Sequence, residues 1–244
     1  MKKVLILFIV FLFSIILTGC RNSEDQLSET EDTTSKEEIK KPMIAFSFDD
    51  GPSPYTDRLL DALEKYGARA TFFVMGYRVE TYQNTIIRAV NLGNEIAGHT
   101  WIHQDITKLT NKEIHQTIFN TNRIIESVIS YSPKIYRPPF GLTNHNVVQI
   151  STELGLSIVN WTLDGMDWKY KDADRVYNII MNEVKENDVI LLHDIHITTV
   201  EAMERLIPSL IAKGYQLVTV SEVLIHLYNQ LEPGTIYGKV YESN

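Results

Sequence analysis

A chain of 244 residues holds one sizeable domain or two small ones, and its hydrophobic and charged fractions, 44% and 22%, are those of an ordinary globular protein. A formal net charge of −8 argues against a nucleic-acid surface, which needs Lys and Arg clustered on one face. The one cysteine, Cys20, excludes a disulfide framework or a Cys-rich zinc site within a single chain.

Lys2 and Lys3 open the chain, and a largely apolar run follows from Val4 to Leu17, ending in Thr18-Gly19-Cys20. A basic start, a short apolar stretch and small residues before a break predict a secretory signal peptide over residues 1–19. The run, at roughly 14 residues, is shorter than the ~20 a spanning helix needs; an N-terminal membrane anchor helix is the alternative. Leu17-Thr18-Gly19-Cys20 resembles the bacterial lipobox, which implies cleavage before Cys20 and a diacylglycerol attached to it. Acyl chains add about 0.8 kcal/mol of membrane affinity per buried CH₂. Residues 20–41 then read as a flexible charged tether, since RNSEDQLSETEDTTSKEEIKK has too little apolar surface to offset its ordering entropy.

From Pro42 one pattern recurs: an amphipathic helix, a glycine, then a short apolar strand. It appears as LEKYGARATFFV, AVNLGNEIAG, STELGLSIVNW and LIAKGYQLVTV. Glycine suits the left-handed position that ends a helix, and the β-rich residues after it suit a strand. Further strands are predicted at 43–48, 135–137 and 188–192. Thr110 and Glu113 form a capping box for a helix whose apolar residues Ile114, Ile118, Ile125 and Val128 keep the helical period. Strand–helix alternation of this kind, in about seven units, implies an α/β fold with a parallel sheet covered by helices. An open doubly wound sheet and an incomplete barrel both satisfy it. The domain is expected over 42–230, with a C-terminal tail over 231–244.

In such folds function gathers at the C-terminal ends of the strands. Strand 43–48 ends in Asp49-Asp50, the strand near 94–98 in His99 and His103, and that near 135–137 in Arg137-Pro138-Pro139-Phe140-Gly141. Strand 157–162 is followed by Asp164, Asp167 and Trp168, and strand 188–192 by His193-Asp194. One such end would carry little weight. Five in a row point to a single cleft.

The ordered set SFDDGP, HTWIH, RPPFG, DGMDW and LLHD resembles the five motifs of the polysaccharide deacetylases, the NodB-homology enzymes of carbohydrate esterase family 4. The resemblance covers roughly residues 43–225. It implies a distorted, incomplete (β/α) barrel and metal-dependent removal of acetyl groups from sugars. Two imidazoles and one carboxylate leave open positions on a divalent ion; the resemblance makes these His99, His103 and Asp50. It makes Asp49 the general base, oriented by Arg137, and His193 the general acid, whose pKa and tautomer Asp167 sets. The backbone N–H of Phe140 becomes the oxyanion donor, with Phe in place of the Tyr of many members. Leu191 and Trp168 match the pocket around the acetyl methyl.

Among the remaining residues, Asp194 is expected to be structural, capping or salt-bridged, and Asp164 to stabilise its loop. His196 is placed near the site. His115, His145 and His226 read as surface or packing residues, and Tyr55 as either cleft lining or helix-start packing. The expected cofactor is one divalent ion, zinc by default, with cobalt, iron, nickel and manganese as alternatives. The implied protein is an extracytoplasmic, lipid-anchored monomer acting on peptidoglycan or, next, chitin-type N-acetylglucosamine polymers. A catalytically silent glycan-binding lipoprotein on the same fold is the competing reading. A metal-free glycosidase using Asp49 and Asp167 ranks third, because it leaves the two histidines unexplained.

Overall fold

The computed structural model describes residues 41–242. The expected signal peptide, Cys20 and all but the last residue of the tether lie outside the described residues.

The chain alternates strand and helix as expected. It runs β1 (Met43–Asp49), α1 (Thr56–Lys65), β2 (Thr71–Val74), α2 (Gln83–Asn91), β3 (Glu95–Gly98), α3 (Asn111–Ile129) and β4 (Ile135–Tyr136). The next elements are β5 (Leu142–Thr143), α4 (His145–Glu153), β6 (Ser157–Val159), β7 (Leu163–Asp164), α5 (Asp167–Tyr170) and α6 (Ala173–Glu183). The chain closes with β8 (Val189–His193), α7 (Ile197–Ala212), β9 (Gln216–Val218), α8 (Val220–Tyr228), β10 (Ile236–Tyr237) and β11 (Tyr241–Glu242). Helix α3 starts on the predicted capping box, with Thr110 and Glu113 bonded reciprocally.

The main sheet is parallel, in the order β10-β6-β4-β3-β2-β1-β8-β7, and β9 pairs with the start of β1. Side chains alternate across each strand. From β1, Ile44, Phe46 and Phe48 point outward and pack with Leu59, Leu60 and Leu63 of α1 and Leu206 and Leu210 of α7. The inward row places Ala45 in a second cluster with Phe73, Ala97, Ile135, Val159, Val189 and Tyr237. A flat sheet would hold β6 and β8 too far apart for one such cluster. The sheet is therefore curled into a half-barrel, the distorted incomplete (β/α) barrel expected. Its lower end is plugged by Val220, Val223 and Leu224 of α8.

One expectation changes. The strand predicted over 157–162 ends at Val159, and Leu163–Asp164 forms its own short strand. The carbonyls of Val159 and Asn160 accept hydrogen bonds from the Arg137 side chain instead of extending a ladder (2.9 and 3.1 Å). Residues 231–242 of the expected tail also carry short strands. Ile236 and Tyr237 pair with Ile158 and Val159, and Tyr241 pairs with Leu142 and stacks on Trp161. Two-residue strands after a Pro-Gly turn carry no readable period, which is why the sequence hides them.

Candidate active site

The inward row of β1 changes character along its length: Ala45, then Ser47, then Asp49. Asp49 ends the strand with its side chain still facing the barrel interior, in register with His193 of β8. Asp50 leaves the strand at φ 72°, a left-handed conformation unusual for a residue other than glycine. That turn lets two adjacent carboxylates reach one cleft, which a continuing strand would forbid.

Arg137 lies wholly buried behind Asp49 and donates to Asp49 Oδ1 (2.7 Å) and to Ser47 Oγ (3.0 Å). With its bonds to two carbonyls and its plane 4.0 Å over Phe73, the guanidinium is held from every side. A buried charge needs such pairing. Burial pushes the Asp49 carboxyl above its ordinary value, and Arg137 and then His193 pull it back.

His99 follows β3 directly. Its Nδ1 meets the Arg137 carbonyl at 2.8 Å, so Nε2 is left facing Asp50 Oδ1 at 3.5 Å. His103 brings its Nε2 to 3.8 Å from the same oxygen, with its ring edge-on to Phe140. Burial drives His99 down to about 3, so its imidazole is neutral, as a metal ligand requires. One ligand atom from each of Asp50, His99 and His103 falls within a 4.8 Å cluster. Asp50 Oδ1 is buried with no hydrogen-bond partner among the described residues. Orphaned carboxylate oxygens are costly. A divalent ion held by the three side chains would satisfy that oxygen, and two nitrogens with one oxygen suit zinc and its first-row neighbours.

On the opposite wall, His193 Nδ1 bonds Asp167 Oδ1 at 2.9 Å. Buried Asp167 also accepts from the His193 N–H (2.7 Å), the Thr199 hydroxyl (2.7 Å) and the Trp168 N–H (2.8 Å). Burial alone would lower the His193 pKa, but the Asp167 hydrogen bond and charge outweigh it and raise the imidazole to about 9. Burial works against Asp167 too; its bonds to His193 and Thr199 hold the carboxyl below its ordinary value.

A cavity of about 400 Å³ joins the two walls and is lined by Asp49, Asp50, His99, His103, Phe140, Trp168, Leu191, His193 and His196 among others. Arg137 and Asp167 stand behind it. Asp164 accepts from the Met166 N–H at 2.8 Å and from the Trp168 indole at 3.3 Å, so it holds the loop and aims the ring. Tyr55 sits at the start of α1, His115 stacks on Phe119 and His145 opens α4.

Asp194 is structural in a way no capping or salt-bridge expectation describes. It is buried under the Asp49-Asp50-Gly51 turn, accepts from the Thr56 hydroxyl (2.5 Å), and its own carbonyl accepts from the Ser53 hydroxyl (2.6 Å). A Cβ on Gly51 would lie 2.1 Å from Asp194 Oδ1, so only glycine lets the turn sit on this carboxyl. Burial raises Asp194 to about 7. Ser47 and Thr199 are the other supports that sequence reasoning passed over. Ser47 shares the inward face two residues before Asp49, so strand alternation could have found it; Thr199 carries no such signal.

Residues 36–159 match the model of the polysaccharide deacetylase family. The chain belongs to that family. Over 192 residues it is 40% identical to the peptidoglycan-N-acetylmuramic acid deacetylase PdaC of Bacillus subtilis, covering 77% of this chain and 40% of that relative. A solved structure of PdaC aligns with a TM-score of 0.72 at 39% identity, over 75% of this chain and 90% of that one. The peptidoglycan-N-acetylglucosamine deacetylase PgdA of Listeria monocytogenes is 34% identical over 181 residues, 74% of this chain and 38% of the relative. A family 4 acetyl xylan esterase of Clostridium thermocellum, solved with a cobalt ion, aligns with a TM-score of 0.75 at 33% identity, over 81% and 98% of the two chains. The chain thus spans about two fifths of the length of the two curated peptidoglycan deacetylases. Polysaccharide deacetylases are metal-dependent in general, and the Asp50, His99 and His103 cluster is the possible metal site of this member.

Proposed function

We propose that this polysaccharide deacetylase removes N-acetyl groups from cell-wall glycans, peptidoglycan first and chitin-type N-acetylglucosamine polymers second, with one divalent ion, zinc by default. The observation that carries this reading is the convergence of Asp49, the Asp50-His99-His103 cluster and His193 on one cavity.

When bound by those three side chains, the ion would polarise the acetyl carbonyl and acidify a water. Asp49, ionised beside Arg137, takes the proton of the attacking water. Its raised pKa makes it a stronger base than an exposed carboxylate. Phe140, at φ 60°, lies on the cavity wall where its N–H is read as the donor to the developing oxyanion. His193, protonated through its bond to Asp167, delivers a proton to the departing nitrogen. Leu191 and Trp168 bound the space for the methyl group.

On the same reading, Cys20 carries a lipid and residues 20–41 tether the domain outside the cytoplasm. Pro42 accepts from the Gln216 N–H at the N-terminal end of β1, so the described domain begins at the end opposite the cleft. All site residues come from one chain, so a monomer suffices. The silent glycan-binding alternative predicts loss of a base, acid or ligand, and all are present.

The test is acetate release by the full chain from peptidoglycan and from N-acetylglucosamine oligomers. Release should stop with a chelator and return on adding zinc, cobalt, iron, nickel or manganese. A metal-loaded protein that frees no acetate from any acetylated glycan, acetyl-xylan included, would overturn the reading.

A further inference from the structure

Just past β2, residues Gly76–Arg78 form a short 3₁₀ turn on the rim of the cleft. The turn is fastened to the segment joining His99 and His103: the N–H of Gly76 donates to Thr100 O (3.0 Å) and that of Tyr77 to Trp101 O (3.3 Å). A Cβ on Gly76 would lie 2.6 Å from Trp101 Cε3, so the indole rests directly on the glycine. The Trp101 N–H donates to Thr117 Oγ1 (2.9 Å), and Thr100 takes the left-handed conformation at φ 63°. This fixed backbone nevertheless presents two large aromatic rings to solvent, Tyr77 at 47% and Trp101 at 37% exposure. Neither ring serves the acetyl cavity.

Between this turn and the Asp50 turn lies Arg78. Its Nε donates to Tyr77 Oη (2.8 Å) and its Nη1 to the carbonyl of Pro52 (3.1 Å), two residues from Asp50. Arg58, Arg69, Arg88, Arg123, Arg137 and Arg205 each hold a carboxylate, whereas Arg78 beside the cleft and the exposed Arg175 on α6 have none in ion-pair contact among the described residues. Two hydrogen bonds to neutral oxygens fix the guanidinium while leaving its charge unspent and N–H groups free. On a chain of net charge −8, a half-buried, oriented cation beside the catalytic cleft is suited to an anion from outside. Carboxylate is the planar partner its fork matches.

We propose that Tyr77, Arg78 and Trp101 form a second sugar subsite on the β2–β3 side of the cleft. The aromatic rings receive a neighbouring sugar of the chain, and Arg78 pairs with a carboxylate that the glycan carries. The preferred substrate is accordingly an acid-bearing N-acetylated glycan of the muramic type rather than a neutral one. The inference rests on the deacetylase reading above.

The test uses the full chain loaded with zinc and three substrates: peptidoglycan oligomers with free carboxylates, the same oligomers with those carboxylates methyl-esterified, and neutral N-acetylglucosamine oligomers. Esterification should raise KM for the wild-type protein about tenfold. Arg78→Ala should lower the acid-to-neutral ratio of kcat/KM by about tenfold, mostly through KM, and Arg78→Lys should recover part of that ratio. Trp101→Ala should raise KM on long oligomers of both kinds more than on short ones. An unchanged acid-to-neutral ratio in Arg78→Ala, whether both activities fall or neither does, overturns the subsite, as does indifference of the wild type to esterification. Failure of the deacetylase reading looks different, because no substrate then releases acetate.

Discussion

The two ends of the half-barrel are built from the same strands by opposite rules. At the lower end the inward positions include Ala45, Ala97, Val189 and Val218; Val220, Val223 and Leu224 of α8 close the space, and the polar Thr71 and Glu95 are hydrogen-bonded to the start of that helix. At the upper end the same inward rows finish in Asp49 and His193, each bonded to a buried partner, while Oδ1 of Asp50 and Oδ1 of Asp194 have no hydrogen-bond partner among the described residues. The lower end gains stability from burial, about 25 cal/mol per Å² of apolar surface. The upper end spends part of it holding charges away from water. A fold can carry a reactive site at one end because the other end is ordinary core.

If that division is real, substitutions at the upper end should change chemistry and metal content, and those at the lower end should change stability alone. The largest effect is expected from Asp50→Ala. It removes the one oxygen in the ligand set, so bound metal measured by elemental analysis should fall to background and acetate release with it. Asp49→Asn is next: metal should remain at one equivalent while kcat falls roughly 10²–10⁴-fold, the usual worth of a general base. Equal loss of metal in both variants would erase the distinction between the adjacent carboxylates.

Much of the upper end was legible in the sequence because its residues sit at strand ends that the helix–glycine–strand pattern already marks. Asp49, Asp50, His99, His103, Phe140, Trp168, Leu191 and His193 all reach one cavity. What stayed hidden depends on tertiary neighbours rather than on local pattern. Asp194 gave no sign that it would lie beneath Gly51, because that contact joins residues 51 and 194 across two strands. The early end of β6 follows from where Arg137 points, and the two-residue strands β10 and β11 are too short to show a period. The lower end was legible only as hydrophobicity. Nothing in VSEVLIHLY says that α8 plugs a barrel instead of lying on its flank.

The lower end gives the third test. Leu224→Ala should cost about 2–5 kcal/mol in chemical denaturation, from lost burial and the cavity left behind. Metal content and kcat of the folded fraction should stay at wild-type values. A large change in kcat there would show that the plug and the site are mechanically coupled.

The smallest effect sharpens the upper end itself, because it concerns a shift rather than a loss. His193 is held at about 9 against an ordinary value of 6.5. A raised folded-state pKa means that the protonated pair with Asp167 adds its full stability below about pH 6.5 and loses it as the pH climbs through 9. Catalysis should share that limit, since an acid that has lost its proton cannot serve the leaving nitrogen. Activity should therefore hold through neutral pH and fall on the alkaline side near 9. Asp167→Asn keeps a partner of the same shape but removes the charge, so the alkaline limb should move toward lower pH by about one to two units. The same limb should appear in an NMR titration of the His193 ring. A limb that stays in place in Asp167→Asn would mean that some other group sets it, and that Asp167 is there to position the histidine alone.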